Sequence, residues 1–241
     1  MTDPAPIHLR PAAPLAERVL LPGDPHRALA VAQAVLDEPK MFNHHRGLWG
    51  YTGRAADGEP LTVQSTGMGG PSAAIVVEEL VDLGARTLLR IGTCGSLSPE
   101  LALGTLVAAE EVVATDGTSA ALGAGPRLRP DASLLTALVD GGALPVTVLS
   151  TDLFYDPRDD AATRWLDAGA DVVEMEAAAL LAIADRRGVA AAVVLAVSDV
   201  LVPGVRERIA RDDLEHAGLR VGQAGWSALA AVDGPAAAAG R

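Results

Sequence analysis

The chain has 241 residues, of which 49% are hydrophobic and only 3% aromatic, and its formal net charge is −12 at pH 7. Its length allows a core without disulfides or a structural metal, and the single cysteine, Cys94, excludes an internal disulfide and a cysteine-rich zinc site. The acidic balance argues against nucleic-acid binding, and the longest apolar run, residues 189–197, is far shorter than the roughly 20 residues of a membrane helix. Because the N-terminus also lacks a signal-peptide profile, we predict a cytoplasmic protein with no membrane partner.

The first half of the chain contains three predicted strands, each followed by glycines. The strands are predicted at residues 18–21, 61–65 and 87–91, and helices at residues 28–36 and 74–83 follow the first two. The turns contain Pro22-Gly23-Asp24, Gly67-Met68-Gly69-Gly70 and Gly92-Thr93-Cys94-Gly95, with Asp24 as a helix cap. Ligands of open α/β sheets gather at the carboxyl ends of strands, so these three turns are predicted to form a binding site.

The second half continues the alternation of strands and helices. Strands are predicted at residues 146–149, 171–173 and 189–197, and helices at residues 175–187 and 206–232. The pattern predicts one domain over residues 1–233 with a three-layer α/β/α fold, in which helices flank a central mixed, mainly parallel sheet. Residues 234–241, mostly Ala and Gly, are predicted to be a disordered tail.

Two arginines beside glycines are candidate anion ligands. Gly23 and Arg27, one helical turn apart, suit an oxyanion at a helix N-terminus, although an ordinary turn with a surface arginine has the same pattern. Arg90 lies inside an apolar strand and needs an anionic partner. That partner is either an Asp or Glu in a buried ion pair or a bound ligand near the hydroxyl of Thr93.

Acidic residues follow two of the predicted strands. Glu174 and Glu176 flank Met175 where a strand becomes a helix, which is typical of carboxylates that bind hydroxyls or of charges that stabilise a first helical turn. Asp199 follows the most apolar run, after Ser198, where a carboxyl group that keeps its proton near neutral pH can act as a general acid. A helix cap is the alternative for Asp199.

Taken in chain order, six motifs resemble the nucleoside phosphorylase family, which includes bacterial hexameric purine nucleoside phosphorylases and uridine phosphorylases. They are Pro22-Gly23-Asp24-Pro25-His26-Arg27, Gly67-Met68-Gly69, Arg90-Ile91-Gly92-Thr93-Cys94-Gly95, Asp152-Leu153-Phe154-Tyr155, Glu174-Met175-Glu176 and Val197-Ser198-Asp199. The resemblance spans nearly the whole chain. It implies a nucleoside phosphorylase-like fold and a homo-oligomer, at least a dimer with shared sites and in such families a hexamer.

The resemblance also implies a role for each candidate residue. Phosphate would be held by Gly23, Arg27, Arg90 and Thr93, with Arg46 reaching in from a neighbouring subunit. Ribose would be held by Met175, by Glu176 at the 2′- and 3′-hydroxyls, and by His8, which crosses the dimer interface to the 5′-hydroxyl. The base would lie among Phe154, Val173, Glu174, Ser198 and Asp199. No metal or organic cofactor is implied, and inorganic phosphate is the co-substrate.

The implied reaction is reversible phosphorolysis, in which phosphate attacks ribose C1′ while the base departs. Asp199 would protonate a purine at N7, assisted by Arg208 or Arg211 on the following helix. Uridine phosphorylases use a Gln and an Arg shortly after the Phe-Tyr pair, and the absence of that Gln here favours purines, although Arg158 could still contact a base. A uridine phosphorylase, a nucleosidase that uses water and a non-catalytic nucleoside-binding protein are the alternatives.

Overall fold

A mixed sheet with helices on both faces forms the centre of the molecule. The computed structural model describes residues 6–202 and 206–233, and within them seven helices surround one eleven-stranded sheet. The strands are β1 (Arg18–Leu21), β2 (Asp37–Asn43), β3 (Gly50–Arg54), β4 (Pro60–Gln64), β5 (Thr87–Ser96), β6 (Leu106–Ala114), β7 (Arg127–Leu128), β8 (Leu144–Ser150), β9 (Val172–Glu174), β10 (Ala190–Val200) and β11 (Glu207–Arg208). The helices are α1 (Pro25–Val35), α2 (Gly70–Asp82), α3 (Gly117–Ala121), α4 (Ala132–Asp140), α5 (Ala161–Asp167), α6 (Ala177–Arg187) and α7 (Arg211–Asp233).

The sheet closes on itself over part of its width. Its order is β11-β10-β6-β8-β9-β5-β1-β4-β3-β2, with β7 paired to β6. Because β10 also pairs with β5, the strands β10, β6, β8, β9 and β5 form a closed ring. The long pairings β5–β10 and β6–β8 are parallel, as are β1–β4 and β1–β5. The parallel pairings of β1 with β4 and with β5 therefore place the carboxyl ends of these three strands at the same edge.

An apolar core lies between the sheet and the helices on each of its two faces. Alternate residues of a strand face opposite sides, so Leu88 contributes to one core and Leu89 to the other. The first core contains buried side chains of α2 and α6, and the second contains those of α1, α4 and α7. This arrangement confirms the predicted three-layer fold with a mixed sheet. None of the helices in the described part of the chain has both the length and the apolar character needed to span a bilayer.

The first two predicted turns are confirmed and the third is wrong. Asp24 caps α1, since its carboxylate accepts a hydrogen bond from the backbone N–H of His26 at 2.8 Å. The predicted turn at residues 92–95 is instead the continuation of β5, which pairs with β10 as far as Ser96. Gly92 is required there by packing, because a Cβ would lie 2.9 Å from Nη2 of Arg90 and 3.0 Å from Cδ2 of Leu195.

The end of β10 also differs from the prediction. The strand continues through Asp199 to Val200 after a bulge between Val197 and Asp199, and β11 pairs with this extension. The last helix consequently begins at Arg211 rather than at residue 206, because residues 207–208 are in an extended pairing. The predicted tail, residues 234–241, lies outside the described residues.

We expect Gly222→Ala to destabilise the protein, although alanine favours a helix over glycine by about 1 kcal/mol. Gly222 lies on α7 against α1, and a Cβ there would come within 2.6 Å of Cγ2 and 2.7 Å of Cγ1 of Val31, a stiff β-branched side chain. Overpacking of this kind costs about 1–3 kcal/mol, which would lower the midpoint of urea unfolding. Gln223→Ala, at an exposed position of the same helix, is the control and should change the midpoint little; a midpoint for Gly222→Ala above that of the wild type would contradict the packing argument.

Candidate active site

Two glycine-containing turns lie side by side at the carboxyl ends of β1 and β4. The backbone N–H of Thr66 donates to the carbonyl of Pro22 at 2.9 Å, and that of Gly67 donates to the carbonyl of Gly23 at 3.1 Å. A Cβ on Gly23 would lie 3.2 Å from the carbonyl oxygen of Gly67, so a side chain at position 23 would crowd the second turn. Gly67 and Gly69 have φ values of 74° and 84°, which favour glycine.

A buried charge cluster lies beside these turns. Nε of Arg90 donates to Oε2 of Glu174 at 2.8 Å, and Nη2 of Arg90 pairs with Oε2 of Glu176. The second oxygen of Glu176 accepts the backbone N–H of Gly69 at 2.6 Å. The buried ion pair, one of the two interpretations of Arg90, is therefore confirmed. Nη1 of Arg90 is buried and has no hydrogen-bond partner among residues 6–202 and 206–233.

Glu174 has a structural role at the start of α6. Its side chain is 1% exposed and accepts hydrogen bonds from the backbone N–H groups of Glu176 and Ala177, both at 2.9 Å, as well as from Ser150 Oγ. This confirms the interpretation in which a carboxylate stabilises the first helical turn. The predicted contact of Glu174 with a base stays a prediction.

In this cluster, opposite charges counteract the effect of burial. Burial raises the pKa of Glu176 above its ordinary value, and Arg90 opposes that shift. Burial would lower the pKa of Arg90, but Glu176 and Glu174 outweigh it and raise the pKa. The guanidinium is therefore positively charged at any pH at which the protein is folded.

Arg27 is the second guanidinium near this cluster. It is half-buried, and its Nε would lie 3.3 Å from a Cβ on Gly218, so the side chain packs closely on α7. Burial lowers the pKa of Arg27. The nearby charges of Asp24 and Glu176 oppose this shift, and that of Arg90 adds to it. Within the described part of the chain, Arg27 forms no ion pair, although neighbouring charges act on it. A bound anion would supply the missing partner.

Asp199 lies at the bulge of β10 next to a serine and an arginine. Its Oδ2 accepts a hydrogen bond from Ser198 Oγ at 2.7 Å, and its Oδ1 lies 3.5 Å from Nε of Arg208. Arg208 was expected on a helix, but it belongs to β11, which pairs Asp199 directly with Arg208. Arg211 is 90% exposed and its Nε lies 3.6 Å from a carboxylate oxygen of Glu215. The geometry therefore places Arg208, rather than Arg211, beside Asp199.

The other predicted site residues lie further apart or at the surface. Phe154 is 63% exposed. Among the described residues, the one aromatic ring that it contacts is that of its neighbour Tyr155, edge-on and with 5.0 Å between the ring centroids. Arg46 is exposed with a φ of 60°, and Thr93 is half-buried in β5. Met175 is half-buried, Val173 is buried, and Nδ1 of His8 lies 2.7 Å from Oε1 of Glu79. Arg158 is paired with Asp156.

Two residues that support the site are missing from the sequence-based prediction. The Oγ of Ser150 contacts Glu174 and accepts the backbone N–H of Ala178 at 2.9 Å, so it joins β8 to α6. Its position directly after an apolar strand was an available signal. Gly218 carries no such signal, because a glycine within a helical pattern does not reveal which side chain it accommodates.

We expect Arg90→Met to destabilise the protein by about 3–5 kcal/mol, since it leaves two buried carboxylates without their cation. Without the guanidinium, the already raised pKa of Glu176 rises further, so the folded state binds a proton that the unfolded state releases. The stability that this proton confers is present at low pH and is lost as the pH rises through the folded pKa. Urea unfolding should therefore show a larger loss at pH 8 than at pH 5.

Arg164→Met is the matched control, because Arg164 pairs with Asp160 on the exposed surface of α5. It should leave the unfolding midpoint unchanged at both pH values. An equal loss for Arg90→Met at pH 5 and pH 8 would contradict the charge argument.

Comparison with known proteins identifies the family. The model of the phosphorylase superfamily matches residues 17–228. A purine nucleoside phosphorylase of the DeoD type from Caldanaerobacter subterraneus subsp. tengcongensis is 39% identical over 199 residues, which cover 79% of this chain and 85% of the relative. Proteins of the same name from Clostridium novyi and Clostridium beijerinckii are 38% and 36% identical, over 79% and 82% of this chain and 85% and 87% of their own lengths. The chain therefore belongs to the phosphorylase superfamily, within the nucleoside phosphorylase family that its motifs indicate.

Proposed function

We propose that the chain is a purine nucleoside phosphorylase, which cleaves the N-glycosidic bond of purine ribonucleosides with inorganic phosphate to yield the free base and ribose 1-phosphate. The observation that carries this proposal is the pair of arginines beside the glycine turns. Arg27 is half-buried without an ion-pair partner in the described residues, and Nη1 of Arg90 is buried without a hydrogen-bond partner there. The relatives that bear this activity in their names match most of the chain.

Inorganic phosphate is the anion that we propose for these arginines. A guanidinium can donate two hydrogen bonds to a phosphate, and the N-terminus of α1 beside Gly23 favours negative charge. Thr93 would add its hydroxyl, and Arg46 would come from a neighbouring subunit. We accordingly propose a homo-oligomer, at least a dimer with shared sites and assembled as a hexamer, in which the exposure of Arg46 leaves its guanidinium available to a neighbour.

The nucleoside would lie above the phosphate. Glu176 is held by Arg90 and by the N–H of Gly69, and its carboxylate oxygens can still accept hydrogen bonds from the 2′- and 3′-hydroxyls of ribose. Met175 would contact the sugar, and His8 of a neighbouring subunit would contact the 5′-hydroxyl. Phe154, which is 63% exposed, offers a ring face on which a base can stack. In this proposal Val173, Glu174 and Ser198 line the rest of the base site.

Charge placement accounts for the chemistry. Phosphate held in line with C1′ faces the positive charge that develops on the sugar, and such positioning lowers a barrier by several kcal/mol. The departing purine accepts a proton at N7 from Asp199. Arg208, whose Nε lies 3.5 Å from Oδ1 of Asp199, stabilises the carboxylate that remains after this transfer. The reaction proposed for this site uses no metal or organic cofactor, and the cytoplasmic location stays a prediction from the sequence.

Phosphate dependence tests the proposed function. We expect base release from inosine, guanosine or adenosine to require inorganic phosphate and to produce ribose 1-phosphate, with uridine a poorer substrate. Coupled detection of the free base and of ribose 1-phosphate measures this. Equal rates without phosphate would identify a nucleosidase, and nucleoside binding without turnover would identify a non-catalytic protein.

Arg27→Ala tests whether the Arg27 guanidinium binds phosphate. Removing charge-assisted hydrogen bonds worth about 1.5–3 kcal/mol should raise the KM for phosphate by at least about tenfold. The KM for the nucleoside should change less. Arg186→Ala, at an exposed position of α6, is the matched control and should behave as the wild type.

Asp199→Asn tests the general acid. An amide cannot donate a carboxyl proton, so we expect kcat for purine nucleosides to fall by about 10²–10⁴ while nucleoside binding is retained. Arg208→Ala should produce a smaller fall, and Arg211→Ala should be close to wild type, because only Arg208 of the two lies beside Asp199. Undiminished phosphorolysis by Asp199→Asn would refute its role, and a larger effect at Arg211 than at Arg208 would refute the assignment of the assisting arginine.

A further inference from the structure

A single carboxylate binds the backbone of residues 7–9. Glu79, on α2, accepts hydrogen bonds from three successive backbone N–H groups: Ile7 at 3.1 Å, His8 at 3.0 Å and Leu9 at 2.7 Å. Its Oε1 also lies 2.7 Å from Nδ1 of the His8 imidazole. Residues 6–17 contain no helix or strand, and over residues 7–9 this carboxylate and the buried side chain of Leu9 hold the backbone in place.

The carboxylate of Glu79 is ionised at neutral pH. Burial alone would raise its pKa, but hydrogen bonds from Leu9, His8 and Ile7 outweigh that effect and lower it. The side chain is 13% exposed, and water therefore competes little for its oxygens. Convergent N–H groups around an anion form strong, charge-assisted hydrogen bonds.

This contact assigns the tautomer of His8. An ionised carboxylate can only accept, so in the neutral imidazole the proton is on Nδ1 and is donated to Glu79. Nε2 is then an acceptor. The His8 side chain is 29% exposed, and its backbone carbonyl lies 3.0 Å from Nδ1 of His45, which holds the segment from the other side. An acceptor nitrogen on a fixed backbone suits a hydroxyl donor.

We propose that Glu79 is a positioning residue of the nucleoside site: it fixes the segment Ile7–Leu9 and the tautomer of His8 so that Nε2 accepts the 5′-hydroxyl of a nucleoside in a neighbouring subunit. This inference rests on the proposed function, because the contact between His8 and ribose is part of that proposal. Its new content is that selectivity for a 5′-hydroxyl depends on a carboxylate of α2 that does not touch the substrate.

Glu79→Gln tests the inference with inosine and 5′-deoxyinosine as paired substrates. A glutamine has one acceptor oxygen and a donor NH₂ group, so it cannot accept from all of the N–H groups and from Nδ1. We expect kcat/KM for inosine to fall by about tenfold, mainly through KM, while the value for 5′-deoxyinosine changes little. Glu78→Gln, the neighbouring position, removes a surface pair with Arg187 and should leave both values unchanged.

A double-mutant cycle separates positioning from general loss of structure. In a His8→Ala background, Glu79→Gln should have no further effect on inosine, because the group that it positions is already absent. An equal fall with inosine and 5′-deoxyinosine, or additive effects of the two substitutions, would overturn the inference.

The tautomer can also be measured without turnover. Long-range ¹H–¹⁵N spectra of the wild-type protein labelled with [¹⁵N]histidine, with His8→Ala to assign the signal, should show the proton of His8 on Nδ1. A proton on Nε2 would overturn the inference even in an active enzyme. Failure of phosphorolysis with every nucleoside would refute the proposed function and this inference with it, whereas phosphorolysis with an unchanged 5′-hydroxyl preference in Glu79→Gln would refute the inference alone.

Discussion

The buried guanidinium of Arg90, held between Glu174 and Glu176, connects the parts of the molecule that form the site. An uncompensated charge in this interior would cost several kcal/mol, so the three side chains stabilise one another only while all are present. Through them β5 is joined to the start of α6, and Glu176 continues the connection to the turn at Gly69. The site is consequently a product of packing between layers, and its ionised groups form part of the core.

Small residues allow the layers to approach closely enough for this cluster to form. Gly92 leaves room for the guanidinium of Arg90 beside β10, and Gly218 leaves room for Arg27 against α7. A chain with only 3% aromatic residues fills its interior with alanine, valine and leucine, which tolerate such short distances between helices and sheet. The absence of side chains at Gly23 and Gly67 likewise allows two turns to come into direct backbone contact.

Local patterns predicted most of the fold, because hydrophobic periodicity and caps depend on neighbours in sequence. The strand Arg18–Leu21 and the cap at Asp24 are examples, and so is the helix predicted at residues 175–187, which is observed from Ala177 to Arg187. The pattern fails where a residue packs against a distant partner. It predicts a turn at the glycines of positions 92 and 95, but these glycines accommodate Arg90, Leu195 and Leu201 within or beside a continuing strand. The choice between an ion pair and a ligand for Arg90 could not be made from sequence, since Glu174 is 84 positions away. Likewise, no local signal marks residues 207–208 as a strand that returns to Asp199.

The closed ring of strands has a consequence for how the protein is made. Its longest strand pairing joins β5 to β10, and it runs from the pair Thr87 and Ala190 to the pair Ser96 and Val200. Residues about a hundred positions apart in the sequence must therefore meet before the ring exists. Such non-local pairing slows folding, because loop-closure entropy is lost before the contacts compensate for it. During translation, the segment that contains Arg27 and Arg90 emerges long before the strand that completes the ring. Until β10 has been synthesised, the strand edges that it pairs with stay uncovered, and uncovered strand edges promote aggregation.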